Sequence, residues 1–258
     1  MHLYHQERQF RENKSRKSDG DDLIDFHSHI LPGIDDGSRN LQMTREMLEM
    51  ERDQAVTKIV ATPHFYASEM SMKHFLRRRD EAWGMVRDQL YAQDTTYPEI
   101  MLAAEVYYFR DMGQADLSAL CIQGTRLLLL EMPFAQWTKK VYQDLEGLIN
   151  RQHMKLIIAH VERYYHYQKD KSIWNQVFAL PLIAQFNAGC LGSWTRRRLP
   201  LRFMKESYPS ILGSDCHNTN SRKPNLLEGR GILEKKLGRG YLDQMDDLGQ
   251  KLLKDYQL

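Results

Sequence analysis

Leu23-Ile24-Asp25-Phe26-His27-Ser28-His29-Ile30-Leu31-Pro32-Gly33-Ile34-Asp35-Asp36-Gly37 is the stretch on which the reading of the whole chain turns. A short apolar run ends in two histidines one residue apart. In an extended backbone alternate side chains share a face, so His27 and His29 converge on one point while Ser28 turns away. Pro32, Gly33 and Gly37 then force a loop that brings Asp35 or Asp36 back towards that point. Taken alone, this spacing suits the polar rim of a strand as well as it suits a metal site. The metal reading gains weight because similar residues recur downstream at one repeated structural position.

Working outward, Asn40 caps a helix running to about Gln54, with Leu41, Met47, Leu48 and Met50 as its apolar stripe. Lys58-Ile59-Val60-Ala61-Thr62 is a β-rich run stopped by Pro63, and it delivers His64. A helix from about Ser71 to Tyr91 buries Phe75, Leu76, Trp83, Val86 and Leu90 and turns Arg77, Arg78 and Arg79 to solvent. The runs 100–104, 127–130, 155–159, 182–186 and 211–214 deliver Glu105, Glu131, His160, Asn187, and the pair Asp215 and His217. Helices are expected near 138–151, 172–180, 225–237 and 241–256. Strands alternating with helices argue for an α/β fold of parallel βα units, and the nearly continuous apolar strands argue for burial on both faces. About seven such units suggest a closed or nearly closed barrel, one unit short of the eight-stranded form.

In parallel barrels, chemistry sits where the strands end. A single buried histidine is ordinarily a packed core residue. His27, His29, His64, Glu105, Glu131, His160, Asp215 and His217 gathered at one mouth would instead be a costly set of desolvated polar groups unless divalent cations compensated them. Mixed imidazole and carboxylate donors suit manganese, iron or zinc, and the set exceeds what one ion needs, so two or three ions sharing carboxylates are expected. Arg163, three residues after His160, and Arg222, five after His217, offer guanidinium forks that match phosphate and point to a phosphoester substrate. The alternative is that they only neutralise acidic ligands.

The 258 residues are 42% hydrophobic and 27% charged, which leaves ample material for one domain spanning 23–258. A formal net charge of +2 and an isoelectric point near 8.3 give no reason to expect nucleic acid as a partner. Cys121, Cys190 and Cys216 make neither a disulfide framework nor a zinc-binding cysteine cluster, which favours the cytoplasm. Residues 1–22 are polar, lack the apolar core of a signal peptide, and read as a flexible tail. The longest compact apolar run, Leu127 to Leu130, is strand-sized, so no membrane span is expected.

The blocks D-F-H-S-H-I-L-P-G-I-D-D-G (25–37), T-P-H-F (62–65), A-E-V-Y-Y (104–108), L-L-E-M-P-F (129–134), A-H-V-E-R-Y (159–164), F-N-A-G (186–189) and G-S-D-C-H-N (213–218) fall in order from about Leu23 to the chain end. Together they resemble the bacterial polymerase and histidinol phosphatase (PHP) superfamily. Within it they resemble the manganese-dependent protein-tyrosine phosphatases of capsule and exopolysaccharide systems. The resemblance implies a distorted seven-stranded β/α barrel of TIM-like type and a three-metal site, with manganese as the expected ion and iron, zinc or magnesium as alternatives. It makes His27, His29, Asp36, His64, Glu105, Glu131, His160, Asp215 and His217 ligands and gives Arg163 and Arg222 the phosphate.

The activity so implied is hydrolysis of phosphotyrosine by a metal-activated hydroxide, on the tyrosine-rich tail of a bacterial autophosphorylating kinase that controls polysaccharide export. The runner-up is a small phosphomonoester such as histidinol phosphate. Two departures stand out. Cys190 to Arg198 is bulkier and more basic than the family's glycine-rich loop, with Trp194 offered either as a stacking surface for a phenyl ring or as a residue packed inward. Cys190 to Arg196 and Cys216 to Arg222 also satisfy C-x5-R, the spacing of thiolate phosphatases, yet the second has no glycine to let amides approach a phosphate, and its neighbours are wanted as ligands.

Overall fold

The computed structural model describes residues 23–256, so the tail expected at 1–22 lies outside the described residues. Strand β1 (Leu23–Ser28) leads through the Pro32–Gly37 loop to helix α1 (Leu41–Asp53), whose cap Asn40 accepts the Met43 amide at 3.0 Å. Then come β2 (Val56–Ala61), β3 (His64–Phe65), α2 (Met72–Val86, continued by one π-helical turn, Arg87–Tyr91), β4 (Glu99–Leu102) and β5 (Glu105–Tyr107). The remaining elements are β6 (Leu127–Glu131), α3 (Lys139–Gln152), β7 (Lys155–Ile158), α4 (Ser172–Val177), β8 (Ile183–Asn187), α5 (Arg198–Lys205), β9 (Ser210–Gly213), α6 (Leu226–Leu237) and α7 (Arg239–Asp255). Among the described residues no helix is long and apolar enough to cross a membrane.

All strand pairs are parallel. They form one sheet ordered β1-β2-β4 and a second ordered β3-β5-β6-β7-β8-β9. The sheets part where Thr62-Pro63 separates β2 from β3 and Ala103-Ala104 separates β4 from β5. Hydrogen bonds cross that break, from the Ala103 amide to Ala61 O at 2.9 Å and from the Glu105 amide to Pro63 O at 3.0 Å. At the far side an isolated parallel bridge joins Ser28 to Cys216, flanked by bonds from the His29 amide to Cys216 O (2.9 Å) and from the Asp215 amide to His27 O (2.8 Å).

The apolar strands feed two cores, because alternate side chains leave opposite faces of the sheet. Leu127 and Leu129 pack with Ile24, Phe26, Val60, Ile157, Ile183 and Ile211, while Leu128 and Leu130 pack on the other face among the helices. That is why the four-leucine run carries no polar residue.

Three local expectations change. Helix α5, in a region read only as a basic loop up to Arg198, tolerates Pro200 because the first turn leaves that amide without an intrahelical partner. Helix α4 stops at Val177, short of Leu180. Of the three arginines on α2, only Arg77 is a solvated residue. Arg78 donates to Gly33 O and Ile34 O, and Arg79 donates to Ala103 O, so both fasten loops that flank the strand ends.

Where β9 passes β1, a Cβ at Gly213 would stand 2.5 Å from His27 Cβ and 3.0 Å from the His27 amide. Gly213→Ala should therefore destabilise the fold by about 1–3 kcal/mol through overpacking, seen as a lower denaturant midpoint at constant slope. An unshifted midpoint would mean that the β1–β9 contact is looser than these distances imply.

Candidate metal centre

Glu105, the first residue of β5, is fully buried at the centre of the strand ends. Its Oε2 lies 3.3 Å from His27 Nε2, 3.3 Å from His29 Nε2 and 2.9 Å from His64 Nδ1. Its Oε1 lies 2.9 Å from His160 Nε2, which is 3.6 Å from Glu131 Oε1. Asp215 Oδ1 lies 3.5 Å from both His27 Nε2 and His29 Nε2 and 3.6 Å from His217 Nδ1. Asp36 Oδ1 closes the outer edge, 3.3 Å from His64 Nε2 and 3.4 Å from His217 Nε2. Every candidate ligand named from the sequence thus enters one cluster.

The choice between the two loop aspartates resolves into two positions. Asp36 is largely exposed and faces the imidazoles. Asp35 sits behind them, its Oδ2 accepting from His29 Nδ1 at 2.8 Å and from the His64 amide at 3.0 Å. Gln185 does the same for His27, whose Nδ1 lies 3.1 Å from Gln185 Oε1, and that oxygen also accepts the His160 amide at 2.7 Å. The Tyr164 hydroxyl lies 2.9 Å from His160 Nδ1, and Asn187 Nδ2 donates to Asp215 Oδ2 at 2.7 Å. These partners turn the Nε2 atoms of His27, His29 and His160 into the cluster. Sequence reasoning missed Gln185 and Tyr164. Gln185 had a visible signal, a lone amide inside an apolar strand.

Electrostatics inside the cluster are those of opposed charges held dry. Burial alone would raise Glu105 and Asp215, but the imidazoles beside them, and for Asp215 also Arg163, hold both carboxyls well below their ordinary range. Burial likewise works against the charge on His27 and His29, yet the carboxylates Glu105 and Asp215, with Asp35 for His29, win and raise both. Burial dominates at His160, lowered to about 4, and at His217, lowered to about 3 with help from the nearby His29. It also pushes Glu131 up to about 7, with the neighbouring Glu105 charge adding to the effect.

Do these residues suit metal ions? Glu105 Oε2 and His64 Nδ1, 2.9 Å apart but misaligned for a hydrogen bond, and His217 Nε2 are buried without a hydrogen-bond partner, a costly condition that a cation would relieve. Donor atoms of His29, Asp36, His64 and His217 lie within 4.8 Å of one another, as do those of His27, His29 and Asp215, and those of His64, Glu105 and Glu131. Overlapping groups of nitrogen and oxygen donors fit more than one divalent cation. His160 (φ 30°) and Asp215 (φ 53°) also hold left-handed backbone conformations, strain of the kind that functional sites retain.

Arg163 and Arg222 border this mouth, both donating to Asp215; the Arg222 Nη2 contact is 2.9 Å. Each is partly exposed, so a guanidinium edge remains open to a ligand. The thiols are placed otherwise. Burial pushes Cys190 and Cys216 far above the ordinary thiol range, so neither supplies the thiolate that a C-x5-R phosphatase needs. Trp194 is 64% exposed and carries the Arg198 guanidinium 3.9 Å over its ring, so it is not packed inward.

The chain matches the model of the family described as capsular polysaccharide synthesis, CpsB/CapC, over residues 23–251. It is 26% identical over 226 residues to the tyrosine-protein phosphatase YwqE of Bacillus subtilis (strain 168), covering 84% of this chain and 85% of that one. It is 24% identical over 253 residues to the tyrosine-protein phosphatase CpsB of Streptococcus agalactiae serotype III (strain NEM316), covering 92% and 100%. Among solved structures, one from a study of YwqE from Bacillus subtilis and CpsB from Streptococcus pneumoniae, described as metal-dependent tyrosine phosphatases, superposes with a TM-score of 0.77. It is 21% identical and covers 92% of this chain and 96% of that one. The histidinol phosphate phosphatase of Lactococcus lactis, complexed with zinc, L-histidinol and phosphate, gives a TM-score of 0.56 at 13% identity, covering 84% and 94%. These two likenesses establish the fold as one shared with both kinds of phosphatase.

Two outcomes are expected for metal binding. Asp35→Asn, which removes the charge behind His29, should weaken manganese affinity by about 10- to 100-fold in a calorimetric titration, and wild-type affinity would contradict the orienting role. A cation must also displace protons from His27 and His29, whose values are raised, so its affinity falls as pH drops. The rise in Tm caused by manganese should therefore grow from about pH 6 to about pH 8, and a flat or shrinking rise would be evidence against the cluster as a cation site.

Proposed function

The chain belongs to the capsular polysaccharide synthesis CpsB/CapC family, and from that membership we propose that it is a metal-dependent protein-tyrosine phosphatase. Its natural substrate in this reading is the tyrosine-rich tail of a bacterial autophosphorylating kinase in capsule or exopolysaccharide synthesis, met in the cytoplasm. The observation that carries the reading is the gathering of imidazoles and carboxylates, with orphaned donor atoms among them, beside two arginines. We assign His27, His29, Asp36, His64, Glu105, Glu131, His160, Asp215 and His217 as ligands of two or three cations, manganese in the first place. We also take residues 23–258 as one domain and its two sheets as a distorted seven-stranded barrel. The Ser28–Cys216 bridge supports closure, and the ligands come from strands of both sheets.

Bound divalent cations would lower the pKa of a water towards neutrality and offset charge on the phosphoryl oxygens. The chain's own groups do the rest. Asp35, Gln185 and Tyr164 hold the ligating imidazoles in one orientation, so little reorganisation is needed on binding. Arg163 and Arg222, now donating to Asp215, present the remaining N–H groups of their forks to phosphate at the mouth. A tyrosine phenolate is a good leaving group and needs little help from a general acid. The basic residues Arg196, Arg197 and Arg198 favour approach of an acidic chain.

Histidinol phosphate remains the second reading, on the strength of the shared fold. Comparing kcat/KM for a phosphotyrosine peptide, a matched phosphoserine peptide and histidinol phosphate tests the assignment. Phosphotyrosine is expected to lead, and a preference for either competitor would overturn the substrate. Arg163→Ala should lower kcat/KM by about 10² to 10³ with metal content retained, and loss of metal would make the arginine a structural neutraliser of Asp215. Cys190→Ser and Cys216→Ser should keep substantial turnover, and a trapped phosphocysteine would replace the mechanism.

A further inference from the structure

Phe134 and Tyr167 are two large, partly exposed aromatic side chains that meet at the mouth of the cluster, although neither is a donor to a metal. Phe134 stands three residues after Glu131 in the loop after β6, and Tyr167 lies on the turn after β7 that also carries Arg163. Their ring centroids are 6.0 Å apart in an edge-to-face arrangement. The Phe134 ring lies nearly parallel to the His160 imidazole, at 19° and 6.2 Å between centroids, and it rests on Tyr164 at 5.2 Å. His160 Nε2 in turn touches Glu105, so the phenyl face of Phe134 begins about one ring beyond the innermost carboxylate.

The backbone beneath this face is clamped. Trp137 Nε1 donates to Pro133 O at 3.0 Å, and Gln168 Nε2 donates to Ala135 O at 2.8 Å, which fixes the residues on both sides of Phe134. Gln168 Oε1 accepts the Trp137 amide at 2.9 Å, so one buried amide ties the turn that bears Tyr167 to the loop that bears Phe134. A rigid, partly exposed aromatic pair costs little conformational entropy when a ligand covers it. Single exposed apolar residues need no explanation, but two in contact, held rigid and bordering a polar site, mark a recognition surface.

We propose that Phe134 and Tyr167 form an aryl-binding platform that selects aromatic over aliphatic phosphomonoesters at this site. The inference rests on the phosphatase reading above and assigns the part of that site that recognises the leaving group. In an aryl ester the ring is one oxygen away from phosphorus, so a phosphate held by the cluster and Arg163 leaves its ring beside Phe134. An alkyl ester offers that surface nothing flat to cover it. Trp194 is held differently, with the Arg198 guanidinium over its ring and no aromatic neighbour among the described residues.

Binding of benzylphosphonate and methylphosphonate, two anions that cannot be hydrolysed, tests the platform on the full metal-loaded chain without relying on turnover. The wild type is expected to bind the benzyl compound about 3- to 10-fold tighter, the range of an added aromatic contact. In Phe134→Leu, which keeps an apolar side chain over Tyr164, the ratio of the two affinities should fall to within about 2-fold, and Tyr167→Leu should lower it in the same direction. Absence of an aryl preference in the wild type, or its survival in the double Leu variant, would overturn the proposal. A wild type that prefers benzylphosphonate yet hydrolyses no phosphomonoester would refute the phosphatase reading and leave the platform standing.

Discussion

The contact of one buried carboxylate, Glu105, with four imidazoles governs the architecture of this protein. His27 and His29 come from the end of β1, His64 from β3 and His160 from the end of β7, and no short segment of chain could bring them together. Placing that carboxylate in a dry interior costs several kcal/mol unless its partners surround it. The breaks at Thr62-Pro63 and Ala103-Ala104 lie immediately before His64 and Glu105. There the ladder is interrupted, and each strand restarts with a residue of the cluster as its first member. Fold irregularity and site are thus the same feature.

Much of the site was legible because a parallel strand delivers the residue at its C-terminal end to a known place. Taking each apolar run together with the polar residue at its end finds His64, Glu105, Glu131, His160, Asp215 and His217 without any knowledge of contacts. Such reading does not reach a position defined by a distant neighbour. Asp35 and Asp36 are adjacent and chemically alike, and only the position of His29 relative to β3 makes one an orienting residue and the other a facing donor. Arg78 and Arg79 looked solvated by helical periodicity, yet loops from elsewhere in the chain fold over them and take up their donors.

The cysteine motif shows the converse error that spacing alone invites. C-x5-R works in thiolate enzymes through a loop of amides around an accessible sulfur, and spacing says nothing of accessibility. Cys216 is fully buried, with Sγ 3.9 Å from Glu51 Oε1, and it takes part in the bridge to Ser28. Its backbone joins the end of β1 to the segment after β9. The cluster decides the matter because Asp215 and His217, on either side of it, face the imidazoles while its own side chain points away.

That seam between the first and last strands also makes the geometry of the cluster depend on parts of the molecule far from it. Asp25 Oδ1 accepts the Ser214 amide at 2.8 Å and the His27 amide at 3.1 Å, so a single carboxyl sets the height of the segments that carry His27 and Asp215. Behind it Glu51 of α1 is equally buried, and burial raises both acids, Glu51 the further because Asp25 faces it. On the other side α7 presses against β1 so closely that a Cβ at Gly249 would stand 3.0 Å from the Phe26 ring. Between these supports His27 and Asp215 have little freedom to separate. In the reading proposed above, His27 and Asp215 would hold a cation where the first and last strands meet, so its binding energy would also stabilise that seam.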